Sequence, residues 1–300
     1  MVRIKKKMKQ DEEKMSAWEE VVDDAVETHP HCREIVNAFR PVVLARKRLV
    51  GALAFQNPDL SKIDKTKFEQ GIPCVRQVPC FLPDDPWEDI ARAAISAMEE
   101  GFPALREDLM KLDRGIRDRK IGFFEAYAAF PDSIETAVSK WAAAVEIDPS
   151  AVAFLLRTVT RIVLEGRAID PTGILKGTDW SRGYCPVCGS YPTIAVIEEK
   201  ITRRWLHCSQ CGCEWLFSRV LCPYCDHEGQ DGMDYYYVED NPRETAFTCG
   251  RCKRYIVTLK QVGGLRDHDW DISAMSLAHL DVLMQEKGFA PMTSCEWNVF

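Results

Sequence analysis

Eight of the chain's thirteen cysteines fall in four Cys-x-x-Cys pairs, and no other feature of the 300 residues restricts the fold as strongly. The pairs are Cys185 with Cys188, Cys208 with Cys211, Cys222 with Cys225, and Cys249 with Cys252. Two intervening residues let both sulfurs of a pair turn toward one ion, while amides of the tight turn point at the sulfurs. Two such knuckles complete a tetrahedral thiolate site, which suits zinc or a single iron. Nineteen residues separate Cys188 from Cys208 and twenty-three separate Cys225 from Cys249, and each gap fits one β-hairpin. The knuckles are therefore expected to join in sequence order, the first with the second and the third with the fourth, since an interleaved pairing requires the hairpins to cross. Two metal ions per chain, iron or zinc, are the expected cofactors. β units this small cannot bury a sufficient core alone, so the ions are expected to supply much of their folding energy.

The remaining cysteines carry less. Cys213 follows the second knuckle closely enough to compete with Cys211 for an ion, but Cys211 completes the regular spacing. Cys295 lies in the tail, and Cys32, Cys74 and Cys80 are expected to be small buried side chains. His207 and His227 adjoin ligand cysteines and could substitute as ligands, but a full set of four thiolates per site leaves them no vacant position. Asp267, His268 and Asp269 precede the last helix and read as helix N-terminal charge and capping.

The rest of the chain supplies the frame. Residues 1–180 read as a helical domain, with apolar residues recurring at three- and four-residue spacing over roughly 32–53, 87–100, 133–145 and from Pro149 onward. Asp84 or Asp85 is placed to cap the second of these, and Gly101 to end it. Pro73, Pro79, Pro83 and Pro86 keep the intervening stretch extended, as a linker crossing the helical domain. From Tyr184 to Val262 the texture is β-rich, in runs such as TIAVIEE, CEWLFSRV and YIVTLKQV. A last helix is expected over Asp271–Lys287. The fold class is thus α+β: a helical domain over 1–180, metal-binding ribbons over 181–220 and 221–263, and a C-terminal helix and tail over 264–300.

Charge and motifs exclude several functions. The net charge is −7, and the span from Tyr184 to Val262 holds nine basic and ten acidic residues, not the basic stripe of a nucleic-acid-binding ribbon. Tyr191, Trp205, Trp215, Phe217 and Tyr235 to Tyr237 are read as hairpin core rather than as base-stacking platforms. The basic start is followed at once by acidic residues, so it reads as a helix rather than as a signal peptide, and the chain is expected to be cytoplasmic with no membrane insertion. No Gly-rich phosphate loop, nucleophile elbow or His-Glu metalloprotease helix is present, so no catalytic or organic-cofactor residues are assigned and the chain is not expected to be an enzyme.

The run GYCPVCGSYP at Gly183–Pro192, with RWLHCSQCGCEW at Arg204–Trp215, RVLCPYC, CGRCKRYIVTLK and SLAHLDVLMQEKGF at Ser276–Phe289, resembles the FdhE family, accessory proteins of formate dehydrogenase. GIPCVRQVP at Gly71–Pro79 resembles the family more weakly. The resemblance implies two rubredoxin-like modules after a helical domain, with the eight knuckle cysteines as metal ligands and iron as a candidate metal. It also implies a role in making formate dehydrogenase active by contacting its catalytic subunit before any export. Cys213 stands where the family pattern expects a small residue. The alternatives are a rubredoxin-type electron-transfer protein and, less well supported by the charge, a zinc-ribbon nucleic-acid binder. A homodimer is left open.

Overall fold

The computed structural model describes residues 2–298 apart from 128, 168, 170–179, 200–202, 230–231, 240 and 264–267, with side chains from residue 14 onward except 261. The α+β class holds. The chain divides into two compact units, one of Met1–Asp24, Val36–Pro58 and Pro79–Ala168, the other of Ala25–Ile35, Asp59–Val78 and Ile169–Phe300.

The first unit is helical. α1 spans Val2–Thr28, α2 Arg33–Ala52 and, after the short α3 (Lys65–Glu69) of the other unit, α4 spans Trp87–Gly101. α5 (Arg106–Arg117), α6 (Phe123–Tyr127), α7 (Ile134–Val145) and α8 (Pro149–Gly166) follow. α8 starts where Pro149 takes the first helical position and the Asp148 carboxylate accepts from the Ser150 amide at 2.8 Å. Its three- and four-residue spacing buries Val152, Leu155, Leu156, Val159, Ile162 and Val163. α4 buries Trp87, Ile90, Ala91, Ala94, Ile95 and Met98 by the same rule.

Two expected boundary roles differ. Asp85 does not cap α4; it accepts from the Leu82 amide at 2.8 Å and from the guanidinium of buried Arg167 at 2.6 Å. Arg167 also donates to the carbonyls of Cys80 and Gln56. A buried cation requires a carboxylate more than a helix start requires a cap, and that demand decides the side chain's role. Gly101 is the last residue of α4, as expected, but it is not a left-handed stop: a Cβ there would collide with the Ala38 carbonyl oxygen, so it permits close approach of α2 to α4.

The second unit is built on one sheet with strand order β3-β2-β1-β6-β5-β4. The strands are β1 (Ile194–Glu198), β2 (Arg204–His207), β3 (Glu214–Phe217), β4 (Met233–Val238), β5 (Asn241–Cys249), β6 (Arg254–Val262) and β7 (Ala290–Pro291). The hairpins β1-β2 and β4-β5 fill the two gaps between knuckles. The two ribbons are not separate sheets: β1 pairs in parallel with β6, from Ile194 opposite Val257 to Glu198 opposite Val262. β7 pairs with β6 at Arg254 and Tyr255, beyond the stretch that β1 covers. In the middle of the sheet, β1 buries four successive residues, Ile194 to Ile197, as a strand covered on both faces must.

The expected C-terminal helix is two helices, α9 (Trp270–Ser276) and α10 (Ala278–Glu286), broken at Leu277. The break lets Trp270, Ala274, Leu277, Leu280 and Met284 all reach the sheet core formed by Ile194, Val196, Ala246 and Val257. Asp269 is the cap, accepting from the amides of Asp271 and Ile272 at 3.0 and 3.1 Å. His268 stacks on Trp270, and Asp267 lies outside the described residues.

Candidate metal centres

Each knuckle is the same turn. The carbonyl of its first cysteine accepts from the amide four residues on, as Cys185 from Gly189, Cys208 from Gly212, Cys222 from Asp226 and Cys249 from Lys253. That fourth residue is left-handed every time, with φ of 82°, 74°, 55° and 57°. Glycine takes that conformation freely, and the first ribbon uses glycine in both turns, whereas the second uses Asp226 and Lys253. The turn directs amide hydrogens at sulfur. Val187 N–H reaches Cys185 Sγ at 3.4 Å, the Tyr224 and Cys225 amides reach Cys222, and those of Arg251 and Cys252 reach Cys249.

The sulfurs gather as two quartets, Cys185, Cys188, Cys208 and Cys211, and Cys222, Cys225, Cys249 and Cys252. Across the first, Cys185 faces Cys211 and Cys188 faces Cys208, both at 3.4 Å; across the second, Cys222 faces Cys252 at 3.7 Å and Cys225 faces Cys249 at 3.8 Å. A tetrahedron with metal–sulfur bonds of about 2.3 Å has sulfurs about 3.8 Å apart, so both cages fit one ion each. The crowding shows in the thiols' ionisation. Burial holds Cys185 and Cys211 well above the ordinary thiol value. Burial opposes ionisation of Cys188 too, yet hydrogen bonds from Cys185, Cys208 and Cys211 carry it well below. In the second cage burial pushes Cys252 up to about 11. Such a set favours one thiolate among thiols until a cation compensates the rest, which is the chemistry of a metal cage.

The two cages are packed together. A Cβ on Gly183 would collide with the Pro223 backbone, and Tyr191 lies on Tyr224 with ring centroids 4.8 Å apart. The Arg254 guanidinium lies over the Tyr224 ring, 4.0 Å from its centroid. The Pro-rich stretch, expected to cross the helical domain, instead lies on the first knuckle through residues 71–78. Cys74 and Val75 amides donate to the carbonyls of Pro186 and Val187 at 2.9 and 3.0 Å, and Tyr184 Oη donates to Gly71 at 2.8 Å.

Cys213 stands outside the first quartet. Hydrogen bonding to Cys185 lowers its pKa, but burial and the neighbouring sulfurs hold the thiol above its ordinary value. His207 is buried with Nε2 3.2 Å from Asp271 and belongs to neither quartet, nor does His227. Cys32, Cys74, Cys80 and Cys295 are buried. A third cluster, His31, Cys32 and His279, escapes sequence reading; its local signal is the run His29-Pro30-His31-Cys32, and its remaining member is remote in sequence. None of the described helices is long and apolar enough to cross a membrane.

Comparison with known proteins bears on the same region. Residues 184–219 match the family model for "FdhE, central domain". A "Protein FdhE homolog" from Aquifex aeolicus is 35% identical over 115 residues, covering 37% of this chain and 40% of that protein. "Protein FdhE" from Salmonella choleraesuis is 36% identical over 115 residues, 37% of this chain and 36% of that one. The matches thus span two-fifths or less of these relatives' own length. The crystal structure of the FdhE protein from Pseudomonas aeruginosa superposes with a TM-score of 0.63 over 95% of each chain at 19% identity, and the fold is shared. The resemblance to the FdhE family drawn from the knuckle runs holds in these comparisons.

Proposed function

We propose that this FdhE-like chain is a cytoplasmic accessory protein of formate dehydrogenase maturation, which binds the enzyme's catalytic subunit and turns over no substrate itself. The observation that supports this reading is the central-domain match falling on a complete four-sulfur cage. In both quartets sulfur takes all four positions around an ion, whereas a catalytic zinc keeps one position open. The eight knuckle cysteines hold the ions: Cys185, Cys188, Cys208 and Cys211 one, Cys222, Cys225, Cys249 and Cys252 the other. The ions tie the ends of the hairpins to one another and give the client a rigid β surface to meet.

Deleting the gene is expected to abolish most formate oxidation while the catalytic subunit is still synthesised, and the purified chain is expected to retain that subunit in a pull-down. Normal formate oxidation in a deletion strain without a second copy would refute the reading. A rubredoxin-type redox role is the second reading, favoured by the half-buried state of Cys225 and Cys252 in the second quartet. Iron would supply a one-electron couple there. Red, iron-loaded protein that bleaches reversibly on reduction supports it; colourless protein with zinc in both cages rules it out.

A further inference from the structure

We propose that His31, Cys32 and His279 form a third metal site, open to solvent, that takes one divalent transition-metal ion such as zinc. Two of the chain's six histidines and one cysteine meet here, drawn from the 3-10 turn Pro30–Cys32 and from the first turn of α10. His31 Nε2 and His279 Nδ1 face each other at 2.9 Å, and their nitrogens and the Cys32 sulfur all lie within 4.8 Å of one another. Tetrahedral zinc places two ligand nitrogens about 3.4 Å apart, so the pair must open by about 0.5 Å. His31 is exposed and can make that adjustment.

Two further features are those of a ligand set rather than of a chance histidine contact. The backbone amides of Ala278 and His279 lie where they favour a thiolate at Cys32, as knuckle amides do for Cys222 and Cys249. The Glu244 carboxylate lies 3.8 Å from His279 Nε2, and its other oxygen accepts from His29 Nε2 at 2.8 Å. A carboxylate behind a histidine favours the tautomer that leaves the opposite nitrogen for the ion, and a small closure of the 3.8 Å gap would make it the usual outer support of a metal-bound imidazole. The Cys32 thiol donates to the Ser276 carbonyl at 3.2 Å, and coordination releases that proton to solvent. A His2Cys set offers borderline-soft donors, which select zinc-like ions over magnesium or calcium, and with three protein ligands the fourth position belongs to water or an exogenous ligand.

The test is a zinc titration of the full chain, with bound metal counted after removal of excess ion, on the parent and on His31→Gln and His279→Gln. His31 is exposed, so His31→Gln keeps the fold, which an unchanged melting curve verifies. The parent is expected to retain one equivalent more than either variant, whatever the loading of the four-cysteine cages. Equal metal content in the parent and both variants overturns the proposal.

Discussion

Gly189→Ala tests whether the left-handed knuckle is what shapes the first cage. An L-residue in the left-handed region costs about 1–2 kcal/mol. Replacing glycine by alanine also stiffens the unfolded chain, which returns about 0.4–1 kcal/mol. At Gly189 the balance tips further against the variant, because the new Cβ would sit 3.3 Å from Pro73 Cγ in a segment hydrogen-bonded to the knuckle. A net loss of about 1–2 kcal/mol follows, and at about 1.4 kcal/mol per tenfold it weakens one of the two ions by roughly five- to thirtyfold. The matching change in the second ribbon runs the other way. Lys253 already carries a side chain at φ 57°, so Lys253→Gly relieves strain and adds chain entropy in nearly equal measure. Chelator competition on zinc-loaded protein, with released ion followed by a dye, resolves the two cages. Gly189→Ala should shift the release of one ion and leave the other, while Lys253→Gly should move neither by more than about threefold. Equal weakening in both variants, or none in Gly189→Ala, would refute the argument that turn conformation sets cage stability.

Cys208→Ser is expected to lose one of the two cage ions and to open the β1-β2 hairpin to protease, whereas the second quartet keeps its ion; full metal content in the variant would deny Cys208 a ligand role. Arg167→Met strips the buried Asp85 of its cation and should cost about 3–5 kcal/mol in urea unfolding, with the helical unit affected first. Gly183→Ala forces the Pro223 backbone away and should cost about 1–3 kcal/mol, read as a lower melting temperature of the metal-loaded chain.

What the sequence makes legible is what is local. The Cys-x-x-Cys turns carry their own geometry, so the two sulfur quartets follow from two spacings, and α4, α7 and α8 follow from apolar periodicity within single segments. α5 passes unnoticed because nine of its twelve residues are not aliphatic, although Leu109, Leu112 and Ile116 keep the helical spacing and are buried. Nonlocal choices are not written in such patterns. The parallel match of β1 with β6 joins segments some sixty residues apart, and the apolar run Ile194 to Ile197 marks only a strand buried on both faces, not which strand lies beside it. Leu277 breaks the last helix to satisfy the sheet beneath it, and Asp85 abandons capping because Arg167, eighty-two residues on, is buried beside it. The His31, Cys32 and His279 cluster likewise depends on two turns brought together by the fold.

The β1-β6 pairing has a consequence for how the chain acquires its metals. β1 runs from the first knuckle into the first hairpin, and β6 leaves the fourth knuckle directly after Lys253. Each strand is anchored at one end by a different cage, so closing both cages favours the strand-to-strand seam. Filling either cage therefore lowers the ordering cost of filling the other, a positive linkage that is reciprocal by thermodynamic necessity. The seam is one pairing among many, so the linkage is weak: zinc added at half the saturating amount should leave singly filled chains as the commonest species but somewhat fewer of them than independent cages would give. Native mass spectrometry counts those species directly.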